Sequence, residues 1–161
     1  MSAEVAESAE KAEKAAPSVL FGRFDHALDP KKRLTIPRVW RKAMGEPDYV
    51  FVMPDRQKKC INLLPKAEMD VILAKLQGKA LFDPRLNHLY QTVASMSEQL
   101  ELDIQGRIRI SDRLLQFANL KTTVAMRGAF RMIKLWAPEA LAPDDEINQA
   151  ELDAALAEVG L

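Results

Sequence analysis

The sequence predicts an α+β protein: a small β module present in two copies, with short helices, two connecting helices and a C-terminal helix. Three observations support this. The pattern Leu-Asp-x-x-x-Arg-[Leu/Ile]-x-Ile occurs twice, as Leu28-Asp29-Pro30-Lys31-Lys32-Arg33-Leu34-Thr35-Ile36 and as Leu102-Asp103-Ile104-Gln105-Gly106-Arg107-Ile108-Arg109-Ile110, 74 residues apart. Ile61-Asn62-Leu63-Leu64-Pro65 and Ile133-Lys134-Leu135-Trp136 form a second matched pair, in the same order, 72 residues apart. Around these anchors the apolar residues alternate with period two, whereas residues 65–95 carry apolar residues at helical spacing. A unit of about 50 residues used twice is too long and too few for a solenoid, and each copy alone is marginal by size, so the two halves are expected to share one core.

In the first copy, Phe24, His26 and Leu28 alternate with Asp25 and Ala27 and predict a strand. Asp29 to Lys32 predicts a tight turn, since Asp and Pro both favour turn positions. Arg33 to Ile36 alternates again, placing Leu34 and Ile36 on one face. Pro37 suits the first position of a short helix through about Met44, with Val39, Trp40 and Ala43 for packing. Tyr49–Met53 and Cys60–Leu64 predict two strands around the polar turn Pro54–Lys58. The second copy repeats this: a strand, a turn at 103–106, a strand at 107–110, Ser111 as N-cap of a helix over Asp112–Ala118, then strands at Thr122–Met126 and Arg131–Trp136. Between the copies, Met69, Ile72, Leu73 and Leu76 form one helical stripe, and Leu86, Leu89, Tyr90 and Val93 another. Gly78 separates them, and Asp83-Pro84 opens the second with an N-cap and a proline. Contact of these helices with the core or with a neighbouring subunit both stay open. A further helix is expected from Asp144 onward.

The domain organisation predicted is a disordered acidic, alanine-rich tail over 1–20, the first repeat over 21–68, a helical connector over 69–96, the second repeat over 97–140, and an acidic C-terminal helix or tail over 141–161. The charge follows this division. The 23 Lys and Arg equal the 23 Asp and Glu. Yet residues 1–20 have a net charge of −2 and residues 137–161 of −7, leaving +9 for residues 21–136. Residues 23–42 hold Arg23, Lys31, Lys32, Arg33, Arg38, Arg41 and Lys42 against Asp25 and Asp29; Arg56, Lys58, Lys59 and Lys66 form a second cluster. A basic body of this kind suits a polyanion such as nucleic acid; a merely solvated surface is the competing reading.

Other classes find little support. The lone Cys60 excludes a disulfide scaffold and a Cys-rich zinc module. No apolar run approaches the roughly 20 residues of a bilayer span, and the first twenty residues lack the apolar core of a secretory signal. His26 and His88 sit on different elements, Cys60 lies in an apolar strand where a buried, inert thiol is expected, and no glycine-rich phosphate loop, zinc spacing or calcium loop occurs. Neither catalysis, a cofactor nor a metal is expected.

The turns carry the chemistry. An Asp at the turn start accepts backbone N–H groups, and the Arg four residues later is close enough to pair with it. Asp29–Arg33 and Asp103–Arg107 are therefore turn locks, nucleic-acid contacts, or both. The consecutive bases Lys31-Lys32-Arg33 tilt the first turn to nucleic acid; Arg107, between uncharged neighbours, stays open. Gly106 stands where a tight turn commonly needs positive φ. Lys32 holds that position in the first copy, at an expected cost of about 1–2 kcal/mol.

These paired motifs, LDPKKRLTIP and LDIQGRIRIS, resemble the two signatures of the MraZ family of bacterial transcriptional regulators. Phe21-Gly22, Ile61–Pro65 and Gly128–Trp136 match as well, so the resemblance covers about 20–140. Lys32 departs from the Gly usual in the first motif, Ser111 from the Pro usual in the second, and Lys134 from a common Glu. The resemblance implies two SpoVT-AbrB-like swapped-hairpin β modules per chain, assembled into a ring. It also implies sequence-specific binding to double-stranded DNA at short direct repeats in the promoter of the division and cell-wall gene cluster, usually as a repressor, in the cytoplasm on the nucleoid. Carried over by position, Asp29, Arg33, Asp103 and Arg107 are signature residues; Lys31, Lys32, Arg38, Arg41 and Lys42 are added as DNA contacts from charge clustering. A ring-forming scaffold without DNA, or an antitoxin-like repressor with a protein partner, is the alternative.

Overall fold

The structure is a computed structural model that describes residues 19–55, 57–76, 83–141 and 148–161. Residues 1–18 of the expected 1–20 tail, Arg56, Gly78 and the start of the C-terminal helix at Asp144 lie outside the described residues, while Leu20 is buried and bridges to Phe130.

Each copy has one element order. The first runs β1 (Arg23–Ala27), β2 (Arg33–Thr35), α1 (Arg38–Ala43), β3 (Tyr49–Pro54) and β4 (Ile61–Leu64). Helices α2 (Lys66–Leu76) and α3 (Pro84–Met96) follow. The second runs β5 (Glu98–Glu101), β6 (Arg107–Arg109), α4 (Asp112–Phe117), β7 (Thr123–Gly128) and β8 (Ile133–Trp136). A 3₁₀ turn at Pro138–Ala140 and helix α5 (Gln149–Glu158) complete the described chain.

Local chemistry sets the boundaries. Alternation in β3 buries Val50, Val52 and Pro54 on one face. Asp83 accepts from the Arg85 N–H at 3.0 Å and Ser111 from the Leu114 N–H at 3.4 Å, capping α3 and α4 as expected. Pro37 sits one position earlier than expected, just outside α1. Its ψ of 139° continues the extended chain from β2, and its carbonyl takes the Trp40 and Arg41 N–H groups at 3.0 Å each.

The copies exchange strands. A six-stranded antiparallel sheet runs β1-β7-β8-β4-β3-β5, and β2 pairs with β6 in a separate two-stranded ribbon. Thus β1 of the first copy pairs with β7 of the second, and β5 of the second pairs with β3 of the first. At both places where equivalent strands meet, a residue faces its own counterpart: Leu34 opposite Ile108, and Asn62 opposite Lys134. Antiparallel pairing about an approximate two-fold axis requires this register, and the spacings of 74 and 72 residues express it in the sequence. Leu34, Ile36, Trp40, Ile108, Ile110 and Leu114 join residues from both halves of the sheet in one buried cluster. Each such side chain contributes about 1.5–3 kcal/mol.

Three expected core or polar residues find structural roles. Trp40 packs edge-on against Phe24, with ring centroids 4.9 Å apart, and its Nε1–H donates to the Phe21 carbonyl at 2.6 Å. His26 Nδ1 lies 3.1 Å from the Thr35 carbonyl; a carbonyl only accepts, so Nδ1 carries the proton. Cys60 is buried, and burial, aided by the nearby Asp55 carboxylate, pushes its thiol up to about 11, in the protonated, inert form. Helices α2 and α3 lie on β3 without a fully buried residue. Among the described residues no helix is long and apolar enough to cross a membrane.

Candidate nucleic-acid interface

The β2–β6 ribbon has two faces because side chains alternate along a strand. Leu34 and Ile108 point into the core and are fully buried. Arg33, Thr35, Arg107 and Arg109 therefore project from the other face, and turns 29–32 and 103–106 lie at the ribbon's two ends.

Both turns are built alike. In the first, Asp29 Oδ1 accepts the N–H groups of Lys31 at 2.9 Å and Arg33 at 2.8 Å, while Oδ2 takes Arg33 Nε at 2.5 Å. In the second, Asp103 Oδ1 accepts from Gln105 and Arg107 N–H, each at 2.9 Å, and Oδ2 takes Arg107 Nε at 2.7 Å. Arg107 Nη1 also comes within 3.9 Å of Asp29 Oδ2, so the two locks touch at the pseudo-axis. Burial works to raise the Asp29 pKa, but the Arg33 N–H and guanidinium and the Lys31 N–H outweigh it and hold the carboxyl below its ordinary value. The Arg107 N–H does the same for Asp103, against burial and with help from its guanidinium. Arg33 and Arg107 are thus turn locks, about a quarter to a third exposed, with their remaining donors on the outward face.

The last turn position has positive φ in both copies: 61° at Lys32 and 74° at Gly106. Gly106 meets a second constraint, absent from the sequence reading. The Arg41 guanidinium lies over it, so a Cβ there would come within 2.5 Å of Arg41 Cζ. Arg41 in turn donates to the Ile36 carbonyl at 2.9 Å. At the first turn the equivalent of Arg41 is Leu115 of the second copy, which leaves room for the Lys32 side chain; its Nζ reaches Asp112 Oδ1 at 2.6 Å. That contact lowers the Asp112 pKa.

The sequence-derived candidates separate accordingly. Lys31, Lys32 and Arg33 line one recess at the first turn, together with Pro30 and Arg109. Arg107 lies on the same ribbon face. Arg38 and Arg41 line a recess at the second turn, beside Glu46, Asp48 and Asp103. Lys42 is exposed on α1 and lines neither recess. Two members of the second basic cluster make local contacts: Lys59 lies 4.9 Å from the Phe117 ring centroid and Lys66 pairs with Asp70 at 2.7 Å. Arg109 was missed as a candidate. Its Nε donates to the Lys31 carbonyl at 3.2 Å, and the alternation Arg107-Ile108-Arg109 was the signal that it shares a face with Arg107.

Lys134 also finds its explanation. Its Nζ bonds Asp55 Oδ2 and Asn62 Oδ1, each at 2.9 Å, across the β4–β8 pair. Burial pushes the Asp55 carboxyl up, yet Lys134 and the Gln57 and Lys58 N–H groups hold it far below its ordinary value. Among the described residues no group of three His, Cys, Asp or Glu is placed to hold a metal ion.

Fold and site together define a duplicated, strand-exchanged β protein whose paired Asp–Arg turns present a cationic ribbon. The family model described as "MraZ protein, putative antitoxin-like" matches residues 94–142, which span the second copy. The chain is 30% identical to a transcriptional regulator MraZ of Symbiobacterium thermophilum over 86% of its own length and 97% of the relative's. It is 29% identical to that of Thermomicrobium roseum, over 83% and 92% respectively, and 25% identical to that of Clostridium tetani, over 84% and 91%. The chain belongs to the MraZ family, a family of transcriptional regulators and not of enzymes.

Proposed function

We propose that this chain regulates transcription by binding double-stranded DNA through the outward face of the β2–β6 ribbon and its two turns. The observation that carries the reading is the concentration of Lys31, Lys32, Arg33, Arg107 and Arg109 on one rigid face whose turns are locked by their own carboxylates. Locked turns hold these cations in place before binding, so little conformational entropy is lost on the DNA. Lys31 and Arg109 neutralise phosphates; Arg38 flanks the second turn; Arg33 and Arg107 use the donors left free by Asp29 and Asp103. Lys42, exposed on α1 and outside both recesses, serves as a peripheral phosphate contact.

The finer reading is a ring of subunits on short direct repeats in the promoter of the division and cell-wall gene cluster, acting as a repressor on the nucleoid. Linked subunits make each later repeat contact intramolecular, so modest single contacts sum to a useful affinity. A gel shift with duplexes carrying one repeat or several, cut from the DNA upstream of the protein's own gene cluster, tests this. The expected result is at least a tenfold tighter complex with several repeats. Equal affinity for both duplexes rejects the ring-on-repeats reading.

A further inference from the structure

The two turns have the same backbone but different tips. The first presents Pro30-Lys31-Lys32; the equivalent residues of the second are Ile104-Gln105-Gly106. Ile104 is fully exposed and Gln105 is exposed as well. Only the Gln105 main-chain N–H is used in the turn lock. A lone exposed Ile means little by itself. Its position gives it weight: it caps one end of a ribbon whose other end is cationic, in a turn held rigid by Asp103.

The electrostatics of the two ends differ in the same sense. At the first tip Lys31, Lys32, Arg33 and Arg109 face Asp29 and Asp112. At the second, Arg38, Arg41 and Arg107 are balanced by Glu46, Asp48 and Asp103. The first end draws phosphate. The second, close to neutral, gains little from the backbone, and what it offers DNA is an apolar branch and a carboxamide. Those are the groups that contact a thymine methyl and the adenine N6/N7 edge in the major groove.

We infer that the turns of one chain divide the work: the first anchors on phosphate, and Ile104 and Gln105 of the second read an A·T pair. The inference rests on the DNA-binding reading above. The geometry also sets a spacing. Lys32 and Gly106 stand at the ribbon ends, opposite Ile110 and Ile36, through bonds of 3.4 and 2.9 Å. Lys32 and Ile36 are four residue steps apart along the strand, about 14 Å at ~3.4 Å per residue.

The test is selection from a randomised duplex library with the full-length chain, as wild type, Ile104→Ala, Gln105→Ala and Lys31→Ala. Both tip side chains are exposed, and a thermal melt checks that the fold is kept. Wild type enriches a motif containing an A·T pair. Ile104→Ala and Gln105→Ala each flatten the preference at that pair by about tenfold and leave the other positions unchanged. Lys31→Ala weakens all sequences together. Unchanged motifs in both tip variants, or a change confined to a G·C pair, overturn the inference while DNA binding stands. If wild type enriches no motif, the sequence-specific reading itself falls, and this inference with it.

Discussion

Lys32 and Gly106 occupy one position in the two repeats, both at positive φ. Glycine takes that conformation freely, whereas a lysine pays about 1–2 kcal/mol. The ion pair with Asp112 does not repay this, because both side chains are about half exposed or more and such pairs are worth little. Retaining Lys32 is therefore intelligible as a cost accepted for a cation at the turn tip. Lys32→Gly should raise the melting temperature by about 2–4 °C, allowing for glycine's greater unfolded-state freedom, and should weaken duplex binding. A melt and an anisotropy titration on the same preparation check this. A stabilised variant with unchanged binding would make Lys32 merely a tolerated residue.

At the scale of elements, the order of strands and short helices, both N-caps and both turn locks were legible in the sequence, because alternation and turn chemistry are local. The exchange of strands between copies was not. Period two says which face a residue takes, not which strand lies beside it, so the exchange is seen only in the pairing of β1 with β7 and of β3 with β5. The site was partly legible for the same reason: Lys31 to Arg33 are contiguous, whereas Arg109 joins them only once β2 and β6 pair. The β4–β8 crossing also explains Lys134 in place of the common Glu. Lys134→Glu would set a carboxylate against Asp55, itself only 14% exposed, at a cost of about 2–3 kcal/mol. That corresponds to a melting temperature lower by about 5–10 °C. The low pKa values of Asp29, Asp55 and Asp103 mean that their stabilisation is complete above the ordinary value of 3.8 and is lost as pH falls through the folded values. Stability should therefore stay level from neutral pH down to about 4 and decline below it, with Lys134→Glu losing the part due to Asp55. A decline beginning near pH 6 would contradict the assignment of these carboxylates.

For the whole molecule, the zero net charge is a sum of unlike parts. A body of +9 carries the ribbon, while the ends carry −9. Helix α5, in the acidic C-terminal part, has no buried residue among those described. DNA binding through the ribbon thus depends on a few cations on one face and not on total charge, and its salt dependence counts them. The most direct measurement is an anisotropy titration of wild type and the Lys31→Ala/Arg109→Ala variant on one upstream duplex, between roughly 50 and 200 mM salt. A ribbon interface predicts weaker binding by the variant at every salt concentration and a log–log salt slope shallower by about 2, one unit for each cation removed. An unchanged affinity and slope would place DNA elsewhere on the protein and contradict the ribbon as its interface.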